Sequence, residues 1–230
     1  MKRKRLCSIL TIVTLSFSLL VTPAFAVYNE SSYEMDNWLS VNVDEEVERA
    51  LNGETDLVID VPVQAVLEME DGTQEDIQVY TTTRELLVPT TTAVNDGGKV
   101  YATTAVAVAA LSSDKSDTNS TNNYHVTAYG TIYWRDNLGP NNEFLSASGG
   151  WDRDEKPTGG YPTLSNAKVK MQGQSDARSY VYEWFYPSTT EFSISESSFD
   201  YNRWSFWFDS TITVDGKNTL TLTVSTGLLT

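Results

Sequence analysis

The clearest pattern in the chain is alternation. Leu57, Ile59, Val61, Val63, Ala65, Leu67 and Met69 interleave with Val58, Asp60, Pro62, Gln64, Val66, Glu68 and Glu70, the period-two signature of a strand with one buried face. Asp71-Gly72 then supplies a turn, and Ile77 and Val79 begin a return strand, so residues 57–87 read as a β-hairpin. Pro62 has no N–H for a ladder, so the first strand should lie at a sheet edge or start near this residue. A lone hairpin cannot bury such a face, so it must pack on the rest of the chain.

Val100 to Leu111, VYATTAVAVAAL, is small and apolar on both faces. Its repeated Val and Thr favour a central strand covered on each side over a buried helix. Beyond it, strand-like runs recur at Tyr124–Asp136, Glu143–Trp151, Ala167–Gln172, Tyr180–Tyr186, Glu191–Phe199, Trp204–Val214 and Thr219–Thr226. Turn signals separate them, among them Gly159-Gly160 and Asp215-Gly216. Short strands at this spacing predict an all-β fold, an antiparallel β-sandwich of jelly-roll or Ig-like type, over residues 98–230. The 57–97 hairpin and connector adds to it.

One segment has helical spacing. Val43, Val47, Ala50 and Leu51 form an i, i+4, i+7, i+8 stripe, opened by a capping-box pair, Asn42 and Glu45, and stopped by Asn52-Gly53. Glu45 and Arg49 stand four apart, in the order that favours an ion pair. This predicts a short helix within an acidic N-terminal arm, residues 27–56. Residues 1–26 have the form of an export signal, with the cationic MKRKR, an apolar run from Leu6 to Val21, and Ala24-Phe25-Ala26 as a small-x-small cleavage site. The rival reading of this stretch is an uncleaved membrane anchor.

Composition changes the picture in three ways. The 230 residues carry a formal charge of −15. Removal of residues 1–26 takes away Lys2, Arg3, Lys4, Arg5 and Cys7 and no acid, leaving 204 residues at −19. Such a chain repels phosphate backbones, which argues against nucleic acid as a partner. It also holds no cysteine, so disulfides, thiol nucleophiles and thiolate metal sites are excluded. No later apolar run reaches the ~20 residues of a membrane span. The expectation is a soluble, secreted, extracellular protein, of a kind that fits a Gram-positive bacterium.

Charge and aromatics divide the chain unevenly. Residues 27–86 hold 16 acids against Arg49 and Arg84, whereas Tyr124 to Phe208 hold five Trp, eight Tyr and six Phe. Alternation sorts these rings. Tyr124, Val126, Ala128, Gly130, Ile132 and Trp134 make a core face, which leaves His125, Thr127, Tyr129, Thr131, Tyr133 and Arg135 outside. Trp204, Phe206 and Phe208 point in, with Trp207 and Asp209 out. Glu183 should face solvent, because an unpaired buried carboxylate costs several kcal/mol; Tyr180, Tyr182, Trp184 and Tyr186 then point inward.

The aromatics left outside are Tyr129, Tyr133 and Trp207, beside His125 and Arg135. Rings flanked by hydrogen-bonding groups suit a sugar face or a protein hot spot. The leading expectation is therefore a non-enzymatic protein binding a cell-surface glycan or protein through these five residues. The bland reading packs them under the hairpin or the acidic arm, which would make the face conditional.

Catalytic readings are thinner. His125 is the only histidine, and no serine lies on a Gly-x-Ser-x-Gly elbow. The alternative enzyme is a jelly-roll glycoside hydrolase with Glu183 and Asp209 as paired carboxylates, which such chemistry needs ~5–9 Å apart. A third reading is a ligand-free structural envelope protein. No cofactor is implied. Weak calcium binding has two candidate runs, Asp114 to Ser120 and Trp151 to Glu155, and neither has the Gly and closing Glu of an EF-hand loop.

Overall fold

A computed structural model describes residues 43–56, 63–87, 98–112, 123–136, 142–157, 159–174, 180–195, 202–203 and 205–226. The export-like segment, the first part of the arm with Asn42, the strand start at Leu57–Pro62, the Asp114–Ser120 run and Trp204 lie outside these residues.

The fold is mostly β, with two antiparallel sheets and one short helix, α1 (Val43–Asn52). The strands are β1 (Gln64–Glu68), β2 (Gln74–Ile77), β3 (Val79–Leu86), β4 (Val100–Ser112), β5 (Asn123–Asp136), β6 (Asn142–Arg153), β7 (Leu164–Gln174), β8 (Tyr180–Phe185), β9 (Glu191–Ser195), β10 (Asn202–Arg203), β11 (Ser205–Val214) and β12 (Asn218–Ser225). One sheet runs β2-β1-β12-β11-β7-β8. The other runs β10-β6-β5-β4-β3, with β9 also paired to β6.

The sheets face each other across one apolar layer, as a sandwich requires. Tyr124, Val126, Ala128, Ile132 and Trp134 of β5 lie in it, as the alternation predicts. Phe206, Phe208, Ile212 and Val214 of β11 meet them from the opposite sheet. Phe208 packs edge-on against Phe192, with ring centroids 5.5 Å apart. β4 is buried along nearly its whole length on both faces, between β3 and β5.

The hairpin expectation needs correcting. β1 and β2 do pair around the Asp71-Gly72 turn, where Gly72 has φ 81°. The return strand ends at Ile77, however, and after Gln78 the chain crosses into the second sheet as β3, paired along β4. β1 is not an edge strand, since β12 occupies its other side, but it starts at Gln64, close to Pro62 as the second alternative has it. The reason is the one that makes a lone hairpin unstable: dividing the segment pairs β1 with β12 as well as β2, and β3 with β4, so each part joins a larger sheet. It is built into both sheets and is not an addition to them.

The helix also differs in detail. It ends as expected: Gly53 has φ 69°, its N–H donates to the Ala50 carbonyl, and Glu54 N–H donates to the Arg49 carbonyl, a Schellman arrangement. The apolar stripe is narrower than predicted. Val47 and Ala50 pack on the outer face of β3–β5, while Leu51 points to solvent and Glu46 is fully buried. The expected Glu45–Arg49 pair does not form. Arg49 turns to Glu54 and Asp56, and Glu45 joins Glu46 on Arg84 of β3.

Asp215 ties one end of the sandwich together. It accepts hydrogen bonds from the Tyr124 hydroxyl at 2.8 Å, the Lys156 ammonium at 2.9 Å and the Thr163 N–H at 2.9 Å. Both Asp215 and Gly216 have positive φ, 54° and 68°, as a primed hairpin turn demands. Partial burial raises the Asp215 pKa, but Lys156, Thr163 and Tyr124 outweigh it and hold the carboxyl below its ordinary value of 3.8. The contribution is thus complete above that value and is lost as pH falls through the lowered one. Asp215→Asn tolerates the positive φ and isolates the charge. Urea titrations should show the variant about 1.5 kcal/mol less stable from pH 8 to 5, with the gap closing below about pH 4.

Candidate functional site

The predicted site residues do not come together. His125, Tyr129, Tyr133 and Arg135 lie on the outer face of β5, and Trp207 on the outer face of β11, across the sandwich. Tyr129 and Tyr133 are buried. α1 covers Tyr129 with Val47 and Ala50, so the arm lies on this face as the bland reading holds. Burial pushes the Tyr129 hydroxyl up to about 12, with Asp152, Glu191 and Asp44 adding to the effect. Tyr133 is raised likewise by burial, opposed by a hydrogen bond with Ser148. Arg135 is held by Glu143 at 2.7 Å, and exposed His125 by Asp154 at 3.0 Å. The expectation that this group is an open binding face is corrected.

The catalytic pair fails on geometry as well. Glu183 and Asp209 point to opposite faces of one sheet, because Glu183 lies opposite buried Met171 whereas Asp209 lies opposite Lys170. Among the described residues no cluster of three acids or histidines is placed to hold a metal, and Asp152, Asp154 and Glu155 are exposed on their strand end.

What the structure exposes is the row that the desolvation argument on Glu183 assigns to the core. β8 is six residues long and stands at the edge of its sheet. Val181 and Phe185 pack against the core, while Glu183 between them is only half-buried at the rim. The desolvation cost that argued against this orientation therefore does not arise. Tyr182, Trp184 and Tyr186 consequently point outward, 60 %, 41 % and 73 % exposed. Trp184 and Tyr186 are near-parallel, 20° apart with centroids at 6.5 Å.

Beside them β7 supplies a polar strip. A bulge at Asn166, φ 55°, resets the strand opposite Ile212, so that Lys168, Lys170 and Gln172 share the outer face with the rings. The Lys170 ammonium lies 5.1 Å from the Tyr182 centroid and 5.7 Å from that of Trp184, and Lys168 lies 5.7 Å from Trp184. Next across the sheet come Trp207 opposite Gln172 and Asp209 opposite Lys170. Gln172 donates to Asp209 at 2.6 Å and Thr223 does so at 2.8 Å, which fixes that carboxylate. Thr211, Thr213, Thr219 and Thr221 continue the face.

Two of the residues weighed in the sequence, Trp207 and Asp209, thus belong to the exposed aromatic face, joined by three rings that the Glu183 desolvation argument turns the wrong way. A signal for the correct orientation was present. A six-residue run closed by Pro187-Ser188 reads as an edge strand, and on an edge a carboxylate reaches water from either face. No protein-family model, curated protein or solved structure matches the chain.

Proposed function

We propose that this is a non-enzymatic protein that binds a glycan through Tyr182, Trp184, Tyr186 and Trp207, and that it acts outside the cell after loss of its export-like segment. The observation that carries the reading is the row of three exposed rings along one edge strand. Successive outward residues of a strand stand about 6.8 Å apart, so the rings form a ladder of flat apolar faces. Their neighbours across the sheet, Asp209, Thr213, Thr219 and Thr221, are donors and acceptors suited to sugar hydroxyls. A protein hot spot is instead ringed by groups that exclude water. The jelly-roll form of the sandwich suits this reading better than the Ig-like form, because it offers broad antiparallel faces.

Intrinsic tryptophan fluorescence and calorimetry against a panel of plant and bacterial polysaccharides test the reading. Trp184→Ala should weaken the bound glycan about 30-fold, roughly 2 kcal/mol, without lowering Tm, since the ring is exposed. Tyr133→Phe, inside the molecule, should leave binding unchanged. Absence of any response across the panel, with Trp184→Ala silent in every assay, counts against a glycan site here.

A further inference from the structure

We infer that the aromatic face selects acidic glycans, with Lys168 and Lys170 receiving the carboxylates of uronic acid units. This rests on the glycan reading above and adds the class of sugar.

The argument starts from where the cations of a strongly acidic chain go. Among the described residues, Arg49, Arg84, Lys99, Arg135, Lys156 and Lys217 each contact a carboxylate within 4 Å. Arg153 donates to the Pro162 carbonyl and lies over Tyr161. Lys168 and Lys170 have no carboxylate at that distance among the described residues and rest against Tyr182 and Trp184. In a chain with 31 acids, an ammonium without a carboxylate is the exception. Here two stand two residues apart on one strand, both beside the exposed ring row.

Their nearest acidic neighbour on this face is Asp209, opposite Lys170, whose two oxygens are already taken by Gln172 and Thr223. The remaining described acids on this face, Glu68 and Asp76, lie on β1 and β2 at the far edge of the sheet, with β11 and β12 between. Neighbouring strands stand about 4.8 Å apart, so these acids are beyond the ~8 Å over which salt screens charges at physiological ionic strength. Asp209 and the half-buried Glu183 keep their charges near the rings, but neither forms an ion pair with Lys168 or Lys170, so both ammonium groups remain open to an incoming anion. A sugar stacked on Trp184 brings its substituents within reach of both flexible ammonium groups. A carboxylate there replaces a weak exposed cation–π contact with a charge-assisted hydrogen bond. The overall negative charge slows approach and favours short or sparsely charged acidic chains over dense polyanions.

Calorimetry on the full chain with hexagalacturonate and its methyl ester, which has the same backbone without the charge, tests this. The free acid should bind about tenfold or more tightly than the ester at 50 mM salt, as expected for hydrogen bonds to charged groups. The advantage should shrink in 500 mM salt. Lys168→Met/Lys170→Met keeps the apolar stems and should abolish the advantage while leaving ester binding within about twofold. Equal binding of acid and ester overturns the acidic assignment and leaves the aromatic site standing. A preference for the acid that survives the double substitution overturns the assignment of the carboxylates to Lys168 and Lys170. If neither probe binds, the acidic assignment also falls; the glycan reading falls with it only if the neutral members of the panel are silent too.

Discussion

Gly149→Ala is expected to be the most damaging single-methyl change in the described core. A Cβ at this position would overlap the Tyr129 carbonyl oxygen and stand 2.8 Å from Phe192 Cζ and 2.9 Å from Gly130 Cα. Two of these three neighbours are backbone, so the β5–β6 pair must separate to admit the methyl. Overpacking of this kind costs about 3 kcal/mol, the upper end of its usual range. For a domain of this size that lowers Tm by roughly 6–12 °C. Gly130 is the contrast. Its Cβ would meet only the tip of the Phe208 ring, the end of a side chain. Gly130→Ala should therefore cost less, and Gly130→Ala/Phe208→Leu should recover part of the loss by opening space. A thermal melt of Gly149→Ala within 2 °C of the parent would show that the strands are not this close.

The second large effect concerns the covering helix. Glu46 is fully buried, with one oxygen on Arg84 at 2.9 Å and the other without a partner among the described residues. Burial disfavours the charge of Arg84, yet its hydrogen bond to Glu46 outweighs this and raises its pKa, with Glu45 adding. Removing one member of such a pair strands the other charge in the protein, at about 3 kcal/mol. Arg84→Met should therefore release α1 from the sheet while the sandwich persists. Glu46→Leu/Arg84→Met should restore docking, because two apolar groups can replace a buried pair with little loss. Hydrogen exchange separates the outcomes: amides 43–53 should lose protection in the single variant and regain it in the double, with β4 and β5 unchanged in both. Retained protection in Arg84→Met would mean that the contacts of Val47 and Ala50 suffice without the ion pair.

The sandwich was legible because strands with one wet face write themselves as alternation. β5 and β11 show it: Gly130, Ile132, Phe206 and Phe208 are turned inward as the period requires. The double burial of β4 was legible from its lack of large polar residues. Less legible was the path of the chain between strands. Nothing in Gln74–Leu86 marks Gln78 as the place where one ladder ends and another begins, since both strands carry the same local pattern. The site was half legible. Trp207 and Asp209 were placed on the correct side, but the β8 rings were reversed. The error came from applying an interior desolvation cost to Glu183 on a strand that its shortness and Pro187-Ser188 mark as an edge. Tyr129 and Tyr133 failed for the opposite reason. Their face is outward with respect to the sheet, and tertiary packing, that of α1 on Tyr129, makes it interior.

The pairing of β1 with β12 sets Leu67 opposite Leu220, near the two ends of the described chain. A contact between such distant positions forms only after a very long loop has closed, and its entropy must be met before the contact returns anything. β4, β5 and β6 are sequential neighbours and can zip early, but the other sheet lacks its two central strands, β11 and β12, until the final thirty residues are available. High contact order of this kind makes for slow folding. A chain emerging from its N-terminus would therefore close its β4–β6 sheet first and leave the other sheet open until nearly its last strand is out.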